Sequence, residues 1–280
     1  EMSKRNSALD SLRGLSTILI VVYHTSFVSG YTVEHADSVK AAGRYGDGDT
    51  QWMTAGSGVQ HSEMFPMIHD DKPNHMELFQ IWLNLPSKSK MVKPHFAMLW
   101  AKDTPWHKEQ DPQGNNIAVR LVAGPLGGAQ PVSPPPDSWA GDSDNKVAIW
   151  IIELDANAVW TLPKEDRGIN RTLYFYDGEQ LTLNGQRIDP MHLIEVAPDV
   201  DVTLSNGNKK GYLLMLQGRP IGEPVAQYGP FVMNTQQELQ STFQDYNRTQ
   251  FGGWPWPKSD QTHGAVGKFA LHANGEREEP

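Results

Sequence analysis

The chain has 280 residues, which is long enough for two ordinary domains with substantial cores. Its 33 acidic residues outnumber its 24 basic ones, giving a formal net charge of −9, and no basic stripe offers the surface of a direct DNA binder. The chain contains no cysteine, which excludes disulfides and thiolate metal sites and fits a reducing, cytoplasmic location. Its 25 glycines and 20 prolines favour short strands and turns over helices.

The first apolar run, residues 14–28, supports three interpretations. Basic residues precede it, as in a signal segment, although no small-x-small cleavage pattern follows. The spacing of apolar residues between 8 and 22 fits a helix, for which Asp10 can serve as a cap. A buried strand is the third interpretation, because residues 17–22 are rich in β-branched side chains. Periodicity does not choose among them, and the run is short for a membrane span, which needs about 20 apolar residues.

A histidine and a glutamate, His61 and Glu63, stand in a stretch with two Gly-x-Gly turns, residues 45–66. In an extended strand alternate side chains face the same way, so this pair can hold one metal ion between them. An imidazole and a carboxylate together suit iron, manganese, nickel or zinc. Two ligands are at most half of the ligands that such an ion needs. Further ligands must therefore come from other parts of the chain.

From residue 30 onward, short apolar runs are separated by Gly, Pro, Asn and Asp. The runs that predict strands are residues 76–86, 116–124, 147–154, 172–178, 185–196 and 211–218. Many short strands without interleaved helices predict an all-β sandwich or barrel. Residues 127–139 form the predicted linker, because stacked prolines cannot occupy a central strand.

One helix is predicted near the C-terminal end, within residues 233–254. Asn234 can cap this helix, with Gln237 closing the capping box, and the glycines at 252–253 stop it. The polar segment that follows, residues 257–280, is expected to be a loose tail.

Three stretches resemble the most characteristic parts of the pirin family, in the right order: residues 46–66, 78–86 and 222–252. The resemblance extends from about residue 30 to residue 256. It implies a bicupin, with two cupin-type antiparallel β-barrels and one metal, usually iron, in the N-terminal barrel.

The pirin resemblance implies two alternative functions. Some members act as quercetin 2,3-dioxygenases, which implies a metal-dependent oxidoreductase that uses Fe(II) or another divalent metal on a small aromatic, flavonol-type substrate. Others are partners of transcription factors, which implies a non-catalytic module that binds a protein. Direct binding to nucleic acid and attachment to a membrane are not expected.

In the pirin family, a His-x-His pair on one strand and a His-x-Glu pair on a later strand hold the metal. The second pair falls on His61 and Glu63, whereas a gapless count places the first pair on Ser16 and Ile18. Because neither of these is a histidine, the resemblance predicts an impaired site with weak or absent iron.

Other residues are assigned to the same barrel by the resemblance. Trp52 and Met53 are expected to pack its interior, and Gln80 is expected to face the pocket, where an amide can orient a substrate or be satisfied within the barrel. If iron were held tightly, His24 and His35 would be the first candidates to complete the site.

Residues 8–28 also resemble the first helix of membrane O-acyltransferases, whose Arg-x10-His motif falls on Arg13 and His24. No later segment supplies the further membrane helices that such enzymes need. The interpretation is a foreign segment joined to a pirin-like chain, which leaves the N-terminal barrel incomplete unless residues 15–28 fill the missing strand. The predicted divisions are residues 1–28 (foreign segment), 29–126 (first barrel), 127–139 (linker), 140–256 (second barrel with helix) and 257–280 (tail).

The second barrel carries no histidine where a cupin would carry its ligands. Asn170 and Arg171 stand at that place, and His192 is isolated. A structural role without metal is therefore predicted for this barrel. Its predicted core includes Trp150, Trp160, Leu173 and Phe175.

Overall fold

The computed structural model describes residues 18–24, 37–38, 41–65, 71, 77–253, 267–272 and 275–280. The chain divides into two compact units. We call one the sandwich unit, which contains Asp103–Pro134 and Trp139–Pro220. The other, the site unit, contains the described residues of Ser16–Lys102, Pro135–Ser138 and Ile221–Pro280. Strands dominate both units, which confirms the predicted all-β class.

The first seven strands belong to the site unit. They are β1 (Ile18–His24), β2 (Asp37–Ser38), β3 (Ala41–Arg44), β4 (Thr50–Thr54), β5 (Gln60–Met64), β6 (Glu77–Leu83) and β7 (His95–Leu99). Strand β1 pairs with β6, β4 pairs with β7, and β5 lies between β2 and β3. Strands β3 and β5 run parallel, unlike the antiparallel pairs expected of the barrel. The connection between them leaves the sheet to form β4 and then returns, which gives both strands the same direction.

The described part of the first apolar run is a strand. It pairs antiparallel with β6, from Ile18 opposite Leu83 to His24 opposite Glu77. The strand interpretation is therefore confirmed for residues 18–24, and the helix interpretation is wrong there, because β-branched residues dominate this stretch.

The next ten strands build the sandwich unit. They are β8 (Trp106–Gln110), β9 (Asn116–Ala123), β10 (Ala148–Leu154), β11 (Val159–Leu162), β12 (Asn170–Asp177), β13 (Leu181–Leu183), β14 (Gln186–Ile188), β15 (His192–Glu195), β16 (Val202–Asn206) and β17 (Gly211–Gly218). One sheet has the order β15-β12-β17-β10-β9-β8 and the other β11-β16-β13-β14. All pairs in both sheets are antiparallel.

A continuous apolar core lies between these two sheets. Both contribute fully buried side chains, among them Ile152 from the first sheet and Leu204 from the second. The four predicted core residues, Trp150, Trp160, Leu173 and Phe175, are all buried in it, which confirms that part of the prediction. The alternation of apolar side chains along each strand places them on the inward face.

Strands β8 and β9 lie in a different unit from the one predicted. Residues 29–126 were assigned to the first barrel, yet β9 pairs with β10, from Ala123 opposite Ile149 to Ile117 opposite Leu154. Apolar alternation identifies a strand but not its partner, so the boundary prediction is corrected for residues 106–123. The predicted linker forms no strand, and residues 135–138 of it belong to the site unit.

The single predicted strand at residues 185–196 is two strands, β14 and β15. Asp189-Pro190-Met191 separates them, and Met191 has a left-handed backbone with φ of 64°. Proline has no N–H group for a sheet, which explains the break.

The remaining elements belong to the site unit. They are β18 (Ala226–Tyr228), β19 (Phe231–Met233), helix α1 (Gln236–Thr249), β20 (Phe269–His272) and β21 (Arg277–Glu278). Helix α1 confirms the predicted C-terminal helix, but its cap is Thr235 with Glu238, one residue later than predicted. The predicted cap, Asn234, instead donates its side-chain N–H to Glu223 and to the Pro224 carbonyl.

Strand β20 corrects the prediction of a loose polar tail. It pairs antiparallel with β3, which gives the sheet order β2-β5-β3-β20-β21. Ala270 is 0% exposed and packs beside Tyr45, Met98 and Trp100. Lys268, just before the strand, contacts the buried Asp49 carboxylate at 2.8 Å. Among the described residues, no helix is long and apolar enough to cross a membrane.

Candidate functional site

The histidine and glutamate singled out from the sequence lie together on β5. His61 Nδ1 is 3.2 Å from Glu63 Oε1. His61 is 6% exposed and Glu63 is half-buried. The two side chains therefore share one face of the strand, as the alternation of strand residues requires.

Gln51 joins this pair from β4. Its Oε1 lies 3.3 Å from His61 Nδ1, so the imidazole nitrogen contacts both a carboxylate and an amide oxygen. The Gln51 Nε2 atom is buried and has no hydrogen-bond partner among the described residues. Sequence reasoning missed this residue, because β4 and β5 lie in different sheets and only their packing brings the side chains together.

Tyr45 contacts the Glu63 carboxylate. Its backbone N–H donates to the Met64 carbonyl at 3.0 Å, which fixes it at the end of β3 beside β5. Its hydroxyl is hydrogen-bonded to Glu63. Burial, followed by the charge of Glu63, raises the pKa of Tyr45 well above its usual value, so the phenol remains a donor to the carboxylate.

The other predicted pocket residues are more dispersed. Trp52 and Met53 lie on β4 opposite Ala97 and Phe96, and both are half-buried. Strand alternation puts Met53 on the same face as Gln51 and Trp52 on the opposite face. Gln80, also half-buried, lies in the middle of β6, in the sheet that β6 forms with β1. Their assignment to a pocket stays a prediction.

The histidines considered as substitute ligands are His24 and His35. The backbone of His24 forms the last position of β1, and His35 lies outside the described residues. His95 and His107 each contact a carboxylate, Asp137 at 3.5 Å and Glu109 at 3.6 Å. Each of these two histidines therefore has a carboxylate oxygen as a neighbour.

A divalent ion fits the His61–Glu63 pair in part. Neighbouring ligands of an octahedral ion, each about 2.1 Å from it, lie about 3 Å apart. The 3.2 Å between His61 Nδ1 and Glu63 Oε1 matches that spacing. Among the described residues, no group of three or more His, Cys, Asp or Glu side chains could hold a metal. The pair therefore fits a weakly held ion, and the described residues do not supply the family's four-ligand set.

The corresponding place in the sandwich unit contains hydrogen bonds between protein groups. Arg171 is buried and donates to Gln217 Oε1 and to the Pro163 carbonyl, both at 2.7 Å. His192 is exposed, and its Nδ1 lies 2.9 Å from the Asp189 carbonyl. These contacts fit the structural role predicted for this unit.

Comparison with known proteins identifies the family. A family model described as pirin matches residues 13–83, and one described as the pirin C-terminal cupin domain matches residues 149–252. Pirin-1 of Arabidopsis thaliana is 32% identical over 221 residues, covering 78% of this chain and 71% of that protein. The chain belongs to the pirin family. Pirin of Homo sapiens is 29% identical over 245 residues, covering 86% of this chain and 76% of that protein.

A solved structure supports the fold of this pirin-family chain. A crystal structure of quercetin 2,3-dioxygenase from Acinetobacter baumannii matches with a TM-score of 0.63 and 27% identity, covering 85% of this chain and 76% of that one. Together with the two family models, this match confirms the predicted bicupin class.

The family match also changes the interpretation of the first segment. The pirin model begins at residue 13, so it includes residues 13–28 of the segment interpreted as foreign. The resemblance of residues 8–28 to acyltransferases finds no support in the comparisons. Residues 13–28 are better described as part of the pirin match, in which β1 supplies a strand beside β6.

Proposed function

We propose that this chain is a quercetin 2,3-dioxygenase-like pirin whose site unit binds a divalent metal weakly through His61 and Glu63. The observation that carries the proposal is the 3.2 Å separation of His61 Nδ1 and Glu63 Oε1 on one largely buried strand face. The name of the Acinetobacter baumannii structure supports the choice of substrate class. When bound, a divalent ion would supply Lewis-acid polarisation of an oxygen-bearing aromatic substrate.

The chain's own residues prepare this face for a cation. The Tyr45 hydroxyl bonds to Glu63 and thereby fixes the carboxylate, whose Oε1 stands 3.2 Å from His61 Nδ1. Such supporting hydrogen bonds tune metal sites because they orient the ligands. Burial of His61 limits the access of water to its imidazole.

Metal titration tests the proposal. We expect the purified chain to carry less than one iron per chain after dialysis against a mild chelator, and to bind added Fe(II) under anaerobic conditions. His61→Gln and Glu63→Gln should each weaken binding by at least about tenfold, because each removes one of two strong donors. His192→Gln, an exposed histidine in the sandwich unit, is the matched control and should bind like the natural chain.

Two results would contradict the proposal. Unchanged metal binding in His61→Gln and Glu63→Gln would remove these residues from the site. Stoichiometric iron that survives the chelator would mean that the site is tight and that another residue, with His24 and His35 the first candidates, completes it.

A second test restores the two histidines of the family's metal site that this chain lacks, which should strengthen metal binding. Because Ile18 begins a strand that pairs with β6, histidines introduced by Ser16→His and Ile18→His should raise iron retention. The measurement is iron per chain by elemental analysis, before and after dialysis. Unchanged retention in the double variant would show that this strand does not place the two positions near His61.

The second candidate function is a non-catalytic pirin module that binds a protein partner. It is favoured by the donor set of the described residues, which is smaller than the family's. Oxygen uptake and loss of quercetin absorbance in the presence of added Fe(II) discriminate between the two. Turnover that disappears in Glu63→Gln supports the enzyme, whereas metal binding without turnover supports the module.

A further inference from the structure

Gln51 is placed like a metal ligand although the family's histidine and glutamate pattern does not include it. Its Oε1 lies 3.3 Å from His61 Nδ1, nearly the same separation as the 3.2 Å between His61 Nδ1 and Glu63 Oε1. Each oxygen therefore stands from His61 Nδ1 at about the 3 Å that separates neighbouring ligands of one divalent ion. His61 Nδ1 is the donor that the two separations share.

The packing around Gln51 leaves space for its amide beside β5. A Cβ atom at Gly43 would lie 2.6 Å from Gln51 Nε2 and 3.2 Å from the Tyr45 ring, so any larger residue at position 43 would displace the amide. Gly43 is also the β3 residue paired with Glu63. The glycine thus allows Gln51 to approach the strand that carries both ligands.

The hydrogen bonding of Gln51 sets it apart from a glutamine with a purely structural role. Its Nε2 is buried without a partner among the described residues, and a buried unpaired donor costs about 1–3 kcal/mol. By contrast, the nearby Gln60 donates its Nε2 to the Gln250 carbonyl at 3.1 Å. Among the described residues, the Gln51 Nε2 makes no such bond. The orientation of the Gln51 amide is therefore set by the contact between its oxygen and His61.

We propose that Gln51 Oε1 is the third protein ligand of the divalent ion, completing an imidazole–carboxylate–amide set with His61 and Glu63. This inference rests on the proposed function and adds to it a preference among metals. Two of the three donors are oxygens, and carboxylate and carbonyl oxygens suit harder ions such as Mn²⁺. The site therefore discriminates less in favour of Fe²⁺ over Mn²⁺ than a histidine-rich set does.

Mn²⁺ titration, followed by the loss of the free-ion signal in electron paramagnetic resonance, tests the ligand. Gln51→Met keeps the length of the side chain and removes the oxygen, so Mn²⁺ affinity should fall by about tenfold or more. Gln51→Glu adds a charged oxygen at the same reach and should raise it by a similar factor. Gln227→Met, an exposed glutamine on β18 of the same unit, is the control and should bind like the natural chain.

Gly43→Ala provides a second, independent perturbation. Its methyl group would displace the amide while leaving Gln51, His61 and Glu63 chemically intact, so it should weaken Mn²⁺ binding in the same direction as Gln51→Met. Thermal melting of each variant checks that it folds. If Gln51→Met does not fold, the opposite shift expected of Gln51→Glu still decides the matter.

The possible outcomes separate the two proposals. If Mn²⁺ binding is lost in His61→Gln but unchanged in Gln51→Met and Gln51→Glu, the metal site stands and the role of Gln51 is overturned. If the natural chain binds no Mn²⁺ and no Fe²⁺ at millimolar concentrations, both proposals are overturned. Weaker binding in Gln51→Met together with tighter binding in Gln51→Glu supports the three-ligand set.

Discussion

The sandwich unit and the site unit obtain their stability in different ways. In the sandwich unit, sheets of six and four strands enclose one continuous apolar core. The described part of the site unit has sheets of two, five and two strands, a β-hairpin and a smaller apolar cluster around Trp100 and Ala270. Its buried polar groups include His61 and Lys90. The comparison indicates that the sandwich unit is the stable scaffold, while the site unit depends on a few specific polar contacts.

The largest expected effect is in the apolar core of the sandwich unit. Leu173 is fully buried on β12, so Leu173→Ala should lower the free energy of unfolding by about 2–5 kcal/mol through lost burial and the cavity that remains. Urea denaturation measures this loss. Val200→Ala, at an exposed position, is the control and should cost less than about 0.5 kcal/mol. A loss below about 1 kcal/mol for Leu173→Ala would contradict the view of this unit as the scaffold.

A smaller effect is expected from the ion pair beside β20. The Asp49 side chain is 1% exposed and contacts Lys268 Nζ at 2.8 Å, while its carboxylate also accepts from the Ala101 N–H at 2.8 Å. Lys268→Met leaves this buried carboxylate without its cation, which should cost about 2 kcal/mol. The measurement is the free energy of unfolding of the site unit, followed by tryptophan fluorescence.

The matched control for that ion pair is an exposed one. Arg187→Gln removes the contact with Asp189 on the surface of the sandwich unit and should cost less than about 0.5 kcal/mol. Equal effects of Lys268→Met and Arg187→Gln would show that β20 is not held by its buried ion pair.

The smallest expected effect concerns the pH dependence of the site unit. Burial lowers the pKa of Lys90 to about 8, although the carboxylates of Glu223 and Glu238 act in the opposite direction. Between pH 8 and the unfolded value of about 10.5, the unfolded chain binds more protons at this residue than the folded one, so stability rises with pH across that window. Below pH 8 the lysine is charged in both states, and its burial is unfavourable.

Comparison with Lys90→Met isolates this contribution. The stability of the natural chain relative to the variant should increase by about 1 kcal/mol between pH 7 and pH 9. Thermal or urea unfolding of both proteins at the two pH values provides the difference in stability between them. The contributions of the other titrating groups cancel in this difference. A difference that is flat with pH would mean that the Lys90 ammonium is solvated in the folded state.

The features that were predicted from sequence are those set by local patterns. Strands β9, β10 and β17 were located to within one or two residues, because continuous apolar runs end at polar or glycine residues. The helix was found from its cap and its glycines, with an error of one residue. The shared face of His61 and Glu63 follows from the alternation of a single strand.

The features that were missed depend on pairing between distant segments. The short apolar run of β20 is surrounded by polar residues, and its partner β3 lies far earlier in the chain: Arg44 donates to the Gly267 carbonyl across 223 positions. Gln51 and Tyr45 contact the His61–Glu63 pair through the packing of different strands, which no local spacing encodes. The assignment of β8 and β9 failed for the same reason.

The pairing of β3 with β20 has a consequence for the order of synthesis. The strands of the sandwich unit, residues 106–218, all leave the ribosome before β20 does, so that unit can complete its core first. Until residues 269–272 are synthesised, the edge of β3 that pairs with β20 has no partner strand. The backbone N–H and C=O groups along that edge are therefore unpaired. During this interval the nascent site unit presents an open strand edge, which makes it the part of the chain most dependent on protection from aggregation.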